Sequence, residues 1–485
     1  MSRRWAPGIT TAQRAAVTLE EREFVFDTDL NRFYVGDGST AGGLRVANYS
    51  ELTAADAAMD TRVDALEAGT GVTIAGALTG EYARTIYSKS QDSVSLLDFV
   101  PEAERLNVRI GVTAVQTYLQ AALDATSGPP ANKAAIINVP PGNYRFTAQV
   151  NVPNGKRITI NFMGDARFYC ETNITILSYV RPNSSDFTEL TLVNAWFEKT
   201  GGVGTSKGIV FQGYDVTKDD SRLVIDRGQF RGLARGVQMK HATGYINYLY
   251  NIDNAIDFYL EHNASSLRIS NVLSVRGNYF VYAVADAADG ISNTLDVLNC
   301  QSVEKLLIDY YLYGWDAVNI TGGGADLGGS GTGSSQAALW FDSCSHITVM
   351  DHYISSVTGG SVQQNRIGLF ATGCYDISLV GKTVKHCAIG ARFTNSLLLH
   401  VDRVNFDECD LNAVLVDGSA SGTITNCAFD DDPDRTGTNF EIYGNIAGST
   451  NWKVRNNKFA GTEFEPANPG GWDIGDNDWE QDLVP

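Results

Sequence analysis

A six-residue unit, apolar at both ends and mostly polar between, recurs from residue 192 to residue 459. It reads LVNAWF at Leu192–Phe197, IDRGQF at Ile225–Phe230, LIDYYL at Leu307–Leu312 and VMDHYI at Val349–Ile354. It returns as LVGKTV at Leu379–Val384, VDRVNF at Val401–Phe406, ITNCAF at Ile424–Phe429 and VRNNKF at Val454–Phe459. Start-to-start spacings are 33, 82, 42, 30, 22, 23 and 30 residues. A basic period of 22–23 residues, lengthened by insertions of about eight, is the mark of a solenoid. One such unit cannot bury its apolar face alone, whereas a stack of them buries a continuous core. Between 225 and 307 the repeat is faint, and Tyr245-Ile246 and Ser266-Leu267 mark two further expected rungs.

The flanking segments divide the rest of the chain. Residues 1–48 carry short alternating stretches around EFVFDTDLNRFYVGDG, which predict a small β module. In 49–90 the apolar residues Leu52, Ala55, Met59, Val63 and Leu66 predict a helical stripe. That helix fits a three-stranded coiled-coil neck or packs on its own domain; both readings stay open. Residues 91–150 predict a capping helix with an apolar face at Val115, Leu119, Ala122 and Leu123, then a turn at Pro140-Pro141-Gly142. Such a helix plugs a solenoid end that otherwise exposes unpaired N–H and C=O groups. The solenoid itself is expected at 151–465, followed by a polar tail at 466–485 with Trp472 and Trp479.

Two of these segments resemble known families. Asp27-Thr28-Asp29 followed by Val35-Gly36-Asp37-Gly38-Ser39-Thr40-Ala41-Gly42-Gly43 resembles the N-terminal domain of phage tail fibres and tropism determinants. Val94, Asp98-Phe99, Gln120-Ala121-Ala122-Leu123 and Val139-Pro140-Pro141-Gly142-Asn143-Tyr144 resemble the opening of pectate-lyase-like β-helices, phage tailspikes above all. Arg105-Leu106-Asn107 departs from the glycine- and aspartate-rich stretch common there. The resemblance implies an all-β chain: a right-handed parallel β-helix with a short N-terminal β module, a helical neck and a capping helix. It further implies a homotrimer, mounted through residues 1–48 on a phage tail, baseplate or adaptor. It implies binding, and cleavage, of bacterial surface polysaccharide in a virion assembled in the host cytoplasm and released by lysis.

Charge and cysteine usage agree with that expectation. The net charge of -19 disfavours nucleic-acid and anionic-membrane partners. The seven cysteines are odd in number and lack CxxC spacing, so buried reduced thiols are expected rather than disulfides or zinc. The N-terminus shows no apolar signal core, and no apolar run reaches membrane-spanning length.

Polysaccharide chemistry asks for carboxylates and flat rings. Asp309, Asp342 and Asp351 are the candidate catalytic acids, and Tyr311, Tyr313, Trp315 and Trp340 the candidate sugar-stacking rings. Asp257 and Glu261 of DFYLEH add candidate binding carboxylates. Asp309 and Asp351 each occupy the third position of a hexamer. Stacked one rung apart they would lie roughly 5 Å from each other, near the retaining separation; two rungs apart, roughly 9–10 Å, near the inverting one. That slot also holds Asn194, Asn426 and Asn456, residue types that tolerate left-handed backbone, so a turn role stands beside the catalytic one. Arg227, Arg231 and Arg235, with a tyrosine base, would instead suit a lyase acting on acidic sugars. The acidic run at Asp430–Asp434 lacks calcium-loop spacing, Gly322–Gly324 is no phosphate loop, and no HExxH occurs, so no metal or cofactor is expected. Hydrolase, lyase, glycan binder and structural spike all remain open.

Overall fold

Alternating apolar residues on consecutive short strands drive the chain to coil, because each strand can bury its inner side only against the turns above and below. The computed structural model describes residues 8–45 except 19–23, 31, 36–38 and 42–43, and residues 93–479 except 126–133, 183–186, 215–220, 262–265, 286–293, 328–335, 356–365, 410, 431–441, 446–449, 460–464 and 467–471. The helical stripe at 52–66, the glycine-rich residues 328–335 and most of the acidic run Asp430–Asp434 lie outside these residues. The chain forms two compact units, Met1–Gln91 and Asp92–Pro485.

The larger unit is a right-handed parallel β-helix. Among the described residues one sheet has 13 strands and the other 26. A single in-register column runs Val94, Ile137, Ile160, Leu192, Ile225, Ile246, Ile269, Val297, Ile320, Val349, Leu379, Val401, Ile424, Val454, Ile474. Seven of the eight hexamers fall in this column. The exception is Leu307–Leu312, which contributes most of strand Ile308–Tyr313 in the 13-stranded sheet. Its expected slot is taken by Val297–Ser302.

The reason is a change in the core. The residue closing each hexamer points inward in a second column: Tyr144, Phe168, Phe197, Phe230, Asn251, Ser274, Ser302, Ala325, Ile354, Val384, Phe406, Phe429, Phe459. Rings stack at either end, with Phe197–Phe230 centroids 5.1 Å apart and Phe429–Phe459 4.7 Å apart. In the middle, three consecutive rungs close on Asn251, Ser274 and Ser302. Volume is balanced from the opposite strand. A Cβ on Gly208 or Gly390 would run into Phe230 or Phe406, but opposite the small serines the 13-stranded sheet supplies Asp257 and Asp309, both fully buried.

Asp257 is therefore a core residue, not the binding carboxylate expected from its strand. Lys305, also fully buried, donates to its Oδ2 at 2.8 Å and to the Arg276 carbonyl at 2.7 Å. Asn254 Nδ2 donates to Oδ1 at 2.9 Å, and the Ser274 hydroxyl also donates to Oδ2.

The open end is covered as the helix pattern predicts. Helix Gln116–Ala125 buries Leu119, Ala122 and Leu123 completely. Gln120 also completes the sheet edge, its Nε2 donating to the Asn151 carbonyl and its Oε1 accepting the Asn151 N–H, each at 2.9 Å. All seven cysteines are buried thiols outside any disulfide. Cys344, Cys374, Ser396 and Ser419 share one corner slot, where each side chain accepts the backbone N–H of the preceding rung's corner.

In the smaller unit, strands Gly8–Ile9, Phe24–Asp27, Arg32–Val35 and Leu44–Arg45 form a sheet around Asp27. The Asp27 carboxylate takes bonds from Arg14, Thr11 and the N–H groups of Asp29 and Leu30. Burial alone would raise its pKa, but these donors bring it down to about 2.

Lys305→Met leaves the Asp257 charge buried without its cation, and should cost about 3–5 kcal/mol. Guanidinium unfolding should show it as a lower midpoint, and adding Asp257→Asn should recover part of the loss.

Candidate functional site

In a strand every second residue faces out, and on the 13-stranded sheet the outward middle column is aromatic over five successive rungs. Tyr259, Tyr282, Tyr311, Trp340 and Phe370 are in register. Their ring centroids are separated by 5.4, 5.0, 5.7 and 5.1 Å, close to the strand spacing of about 4.8 Å that sets the repeat. Each ring is half-buried. A cation terminates the series at both ends: the Arg235 guanidinium lies 3.6 Å over Tyr259, and that of Arg392 5.4 Å over Phe370.

The next outward column runs Lys240, Glu261, Val284, Tyr313, Asp342, Thr372, Thr394, Asp417. Of the expected site residues, Tyr311, Tyr313, Trp340, Glu261 and Asp342 thus share one face. Asp342 accepts a bond from the Ser343 hydroxyl at 2.8 Å. Burial first, and then the nearby Asp342 carboxylate, raise the Tyr311 pKa to about 12. Burial, with a bond to Glu261, also raises that of Tyr259 despite the arginine above it. These phenols hold their protons near neutrality, which argues against either as the base of an elimination.

The structure separates the other expected residues from this face. Asp309 is fully buried and lies opposite the Ser302 hydroxyl. Burial pushes its pKa up to about 7, against the pull of a bond from Ser302 and of the charges on Lys305 and Arg366. Trp315 is a core residue 1% exposed. Asp309 and Asp351 do not stack, because they stand on different sheets. Asp351 sits at a corner of the 26-stranded sheet, in a column where Asn194, Arg227, Tyr248, Asn271, Asn299, Gly322, Gly381, Arg403, Asn426 and Asn456 all have φ between 52° and 72°. The turn role fits Asp351 and not Asp309. Arg227 belongs to that corner and Arg235 to the other sheet, so the spacing of four builds no arginine cluster.

Sequence reasoning missed Tyr282, Phe370 and Arg392. Their signal was an aromatic or cation enclosed by two inward apolar residues, as in Val281-Tyr282-Ala283 and Leu369-Phe370-Ala371, returning once per rung.

Fold and face together define a parallel β-helix protein with an outward aromatic column, preceded in sequence by a separate small β module. That module has a specific match: residues 10–40 fit the family described as "Major tropism determinant N-terminal domain". No curated protein matches the chain in sequence. Among solved structures it is similar to PfbA, a surface adhesin of Streptococcus pneumoniae, at 10% identity over 80% of this chain and 90% of that one, with a TM-score of 0.44. It is similar to the tailspike of E. coli bacteriophage HK620 in complex with a pentasaccharide, at 13% identity over 83% and 73%, TM-score 0.42. It is also similar to tailspike protein 3 of bacteriophage CBA120, at 14% identity over 99% and 78%, TM-score 0.39. The expected tropism-determinant-like module and the expected β-helix are both present.

Asp309→Asn should stabilise the protein near pH 7–8. The native acid binds its proton up to about pH 7 and the unfolded one only to about pH 4, so wild-type stability falls as pH rises between these values. Unfolding midpoints should show no gain for the variant below about pH 4. Asp351→Gly should leave stability unchanged, since glycine already serves at Gly322 and Gly381. A clearly lowered unfolding midpoint in this variant would count against the turn role.

Proposed function

We propose that this chain is a phage tail receptor-binding protein that lays a stretch of bacterial surface polysaccharide along the rings from Tyr259 to Phe370. The observation that carries this reading is the outward column itself. Five half-exposed rings at strand spacing form a continuous apolar track, stacked from Tyr259 to Tyr311 and turned at Trp340 and Phe370, bordered by Glu261, Tyr313 and Asp342. Sugar rings present apolar faces to such a track and hydroxyls to its polar border. The tropism-determinant match at residues 10–40 supports mounting on the virion tail through the N-terminal module. A homotrimer, as the tailspike resemblance implies, would repeat the track on each subunit.

Cleavage is a second reading, favoured by Asp342, the one of the three expected acids that faces the track. Hydrolysis by paired carboxylates requires a partner within about 5–9.5 Å. In the Asp342 column Tyr313 and Val284 fill the two rungs on one side and Thr372 and Thr394 the two on the other, so Glu261 and Asp417 stand three rungs away, roughly 14 Å off and beyond that range. Binding is the function this geometry supports best.

The reading is tested with immobilised capsule, O-antigen and exopolysaccharide from candidate hosts. Trp340→Ala and Tyr311→Ala should each weaken retention by about threefold to tenfold, as expected for loss of one stacked ring. Unchanged retention in both variants would remove the track from the mechanism. Release of reducing ends that disappears in Asp342→Asn, with retention intact, would establish cleavage as well.

A further inference from the structure

The aromatic track is electrically lopsided. At the Tyr259 end, Lys207 and Arg235 are in register on adjacent strands, and Lys240 stands in register with Glu261. All three cations lie on the outward side. None of them forms an ion pair among the described residues, in a chain whose net charge is -19. The nearby carboxylate is already engaged by neutral groups: Gln238 Nε2 donates to Glu261 Oε2 at 2.9 Å. Arg235 is held in place, stacked on Tyr259 and donating from Nη1 to Gln238 Oε1 at 2.9 Å. A guanidinium has five N–H donors, and a stacked, oriented one loses little freedom on gripping an anion. The Phe370 end differs: Arg392 lies 3.8 Å from Asp417, and Asp342 and Asp417 give that border acidic character.

We infer that the Tyr259 end is an anion subsite, and that the polysaccharide taken by the track carries an acidic substituent, carboxylate or phosphate, held by Lys207 and Arg235, with Lys240 adding positive charge from the far end of the Arg235–Lys240 strand. The inference rests on the binding function proposed above and adds its substrate class. Adjacent strands place Lys207 and Arg235 roughly 5 Å apart, a spacing at which one acid group meets both. Burial and the neighbouring arginine lower the Lys207 pKa against the pull of Glu261, as expected where two cations are crowded together. The acidic border at the far end repels the same substituent, so the glycan should bind in one direction only.

The test uses the full chain and biolayer interferometry on five immobilised polymers. Polygalacturonate and polysialic acid carry carboxylates, a glycerol-phosphate teichoic polymer carries phosphate, and dextran and neutral galactan carry neither. Retention is expected on an acidic polymer, and the arm that retains the protein distinguishes carboxylate from phosphate. It should fall about tenfold or more between low and high salt, as screening requires. Arg235→Gln/Lys240→Gln should lose about as much, with an unchanged circular dichroism spectrum. Retention confined to dextran or galactan, or retention insensitive to both salt and the double substitution, would overturn the anion subsite. It would spare the track, provided Trp340→Ala still weakened binding. Retention lost in the charge variant but untouched in Trp340→Ala would instead overturn the track. No retention on any acidic polymer counts against the anion subsite.

Discussion

Parallel strand pairing fixes one distance, the separation of neighbouring strands, and the rest of the β-helix is built to that pitch. Inside, it sets phenylalanines of successive rungs face to face, as in Phe406, Phe429 and Phe459. At the corners it aligns residues that must all adopt the same left-handed backbone. On the outer side of the 13-stranded sheet it spaces aromatic rings so that each touches the next. A residue's value in this protein is set by its column more than by its neighbours in sequence.

That logic explains both what could be read from the chain and what could not. Hexamers closing on Phe or Ile announced themselves, because an apolar inner column is visible as periodicity. Where the column turns to Asn251, Ser274 and Ser302 the periodicity disappears although the strands do not. LIDYYL filled the resulting gap by coincidence of composition. Its misplacement then put Asp309 in a corner slot, although it lies in the core opposite Ser302. The cap was legible because its apolar helix face and its glutamine have local signatures. The edge pairing made by Gln120 was not, since it depends on a backbone 31 residues away.

The functional face was partly legible for a related reason. IDYYLYGWD gathers acids and rings in a short stretch, and the eye groups them as one site. Alternation sends Tyr311 and Tyr313 outward, but it breaks at the start of the strand, where Ile308, Asp309 and Tyr310 are all buried, while the corner turns Trp315 into the core. The true neighbours of Tyr311 lie 29 residues before and after it, at Tyr282 and Trp340. A search for aromatics recurring at rung spacing, rather than for local density, would have found the column.

The ionic rungs around Asp257 and Lys305 interrupt an otherwise greasy interior. In a solenoid, stability is close to a sum of nearest-neighbour interfaces, and cooperative units end where those interfaces change character. In this column the phenylalanine stacks on either side are joined by contacts that depend on charge geometry, while the neighbouring column from Ile246 to Ile320 stays apolar. Zippering that starts in one stack must register a lysine with an aspartate before it continues into the other. The shaft is thus a continuous apolar core with a polar joint set into one of its columns, and heat or mechanical load applied along its axis would be expected to open it there first.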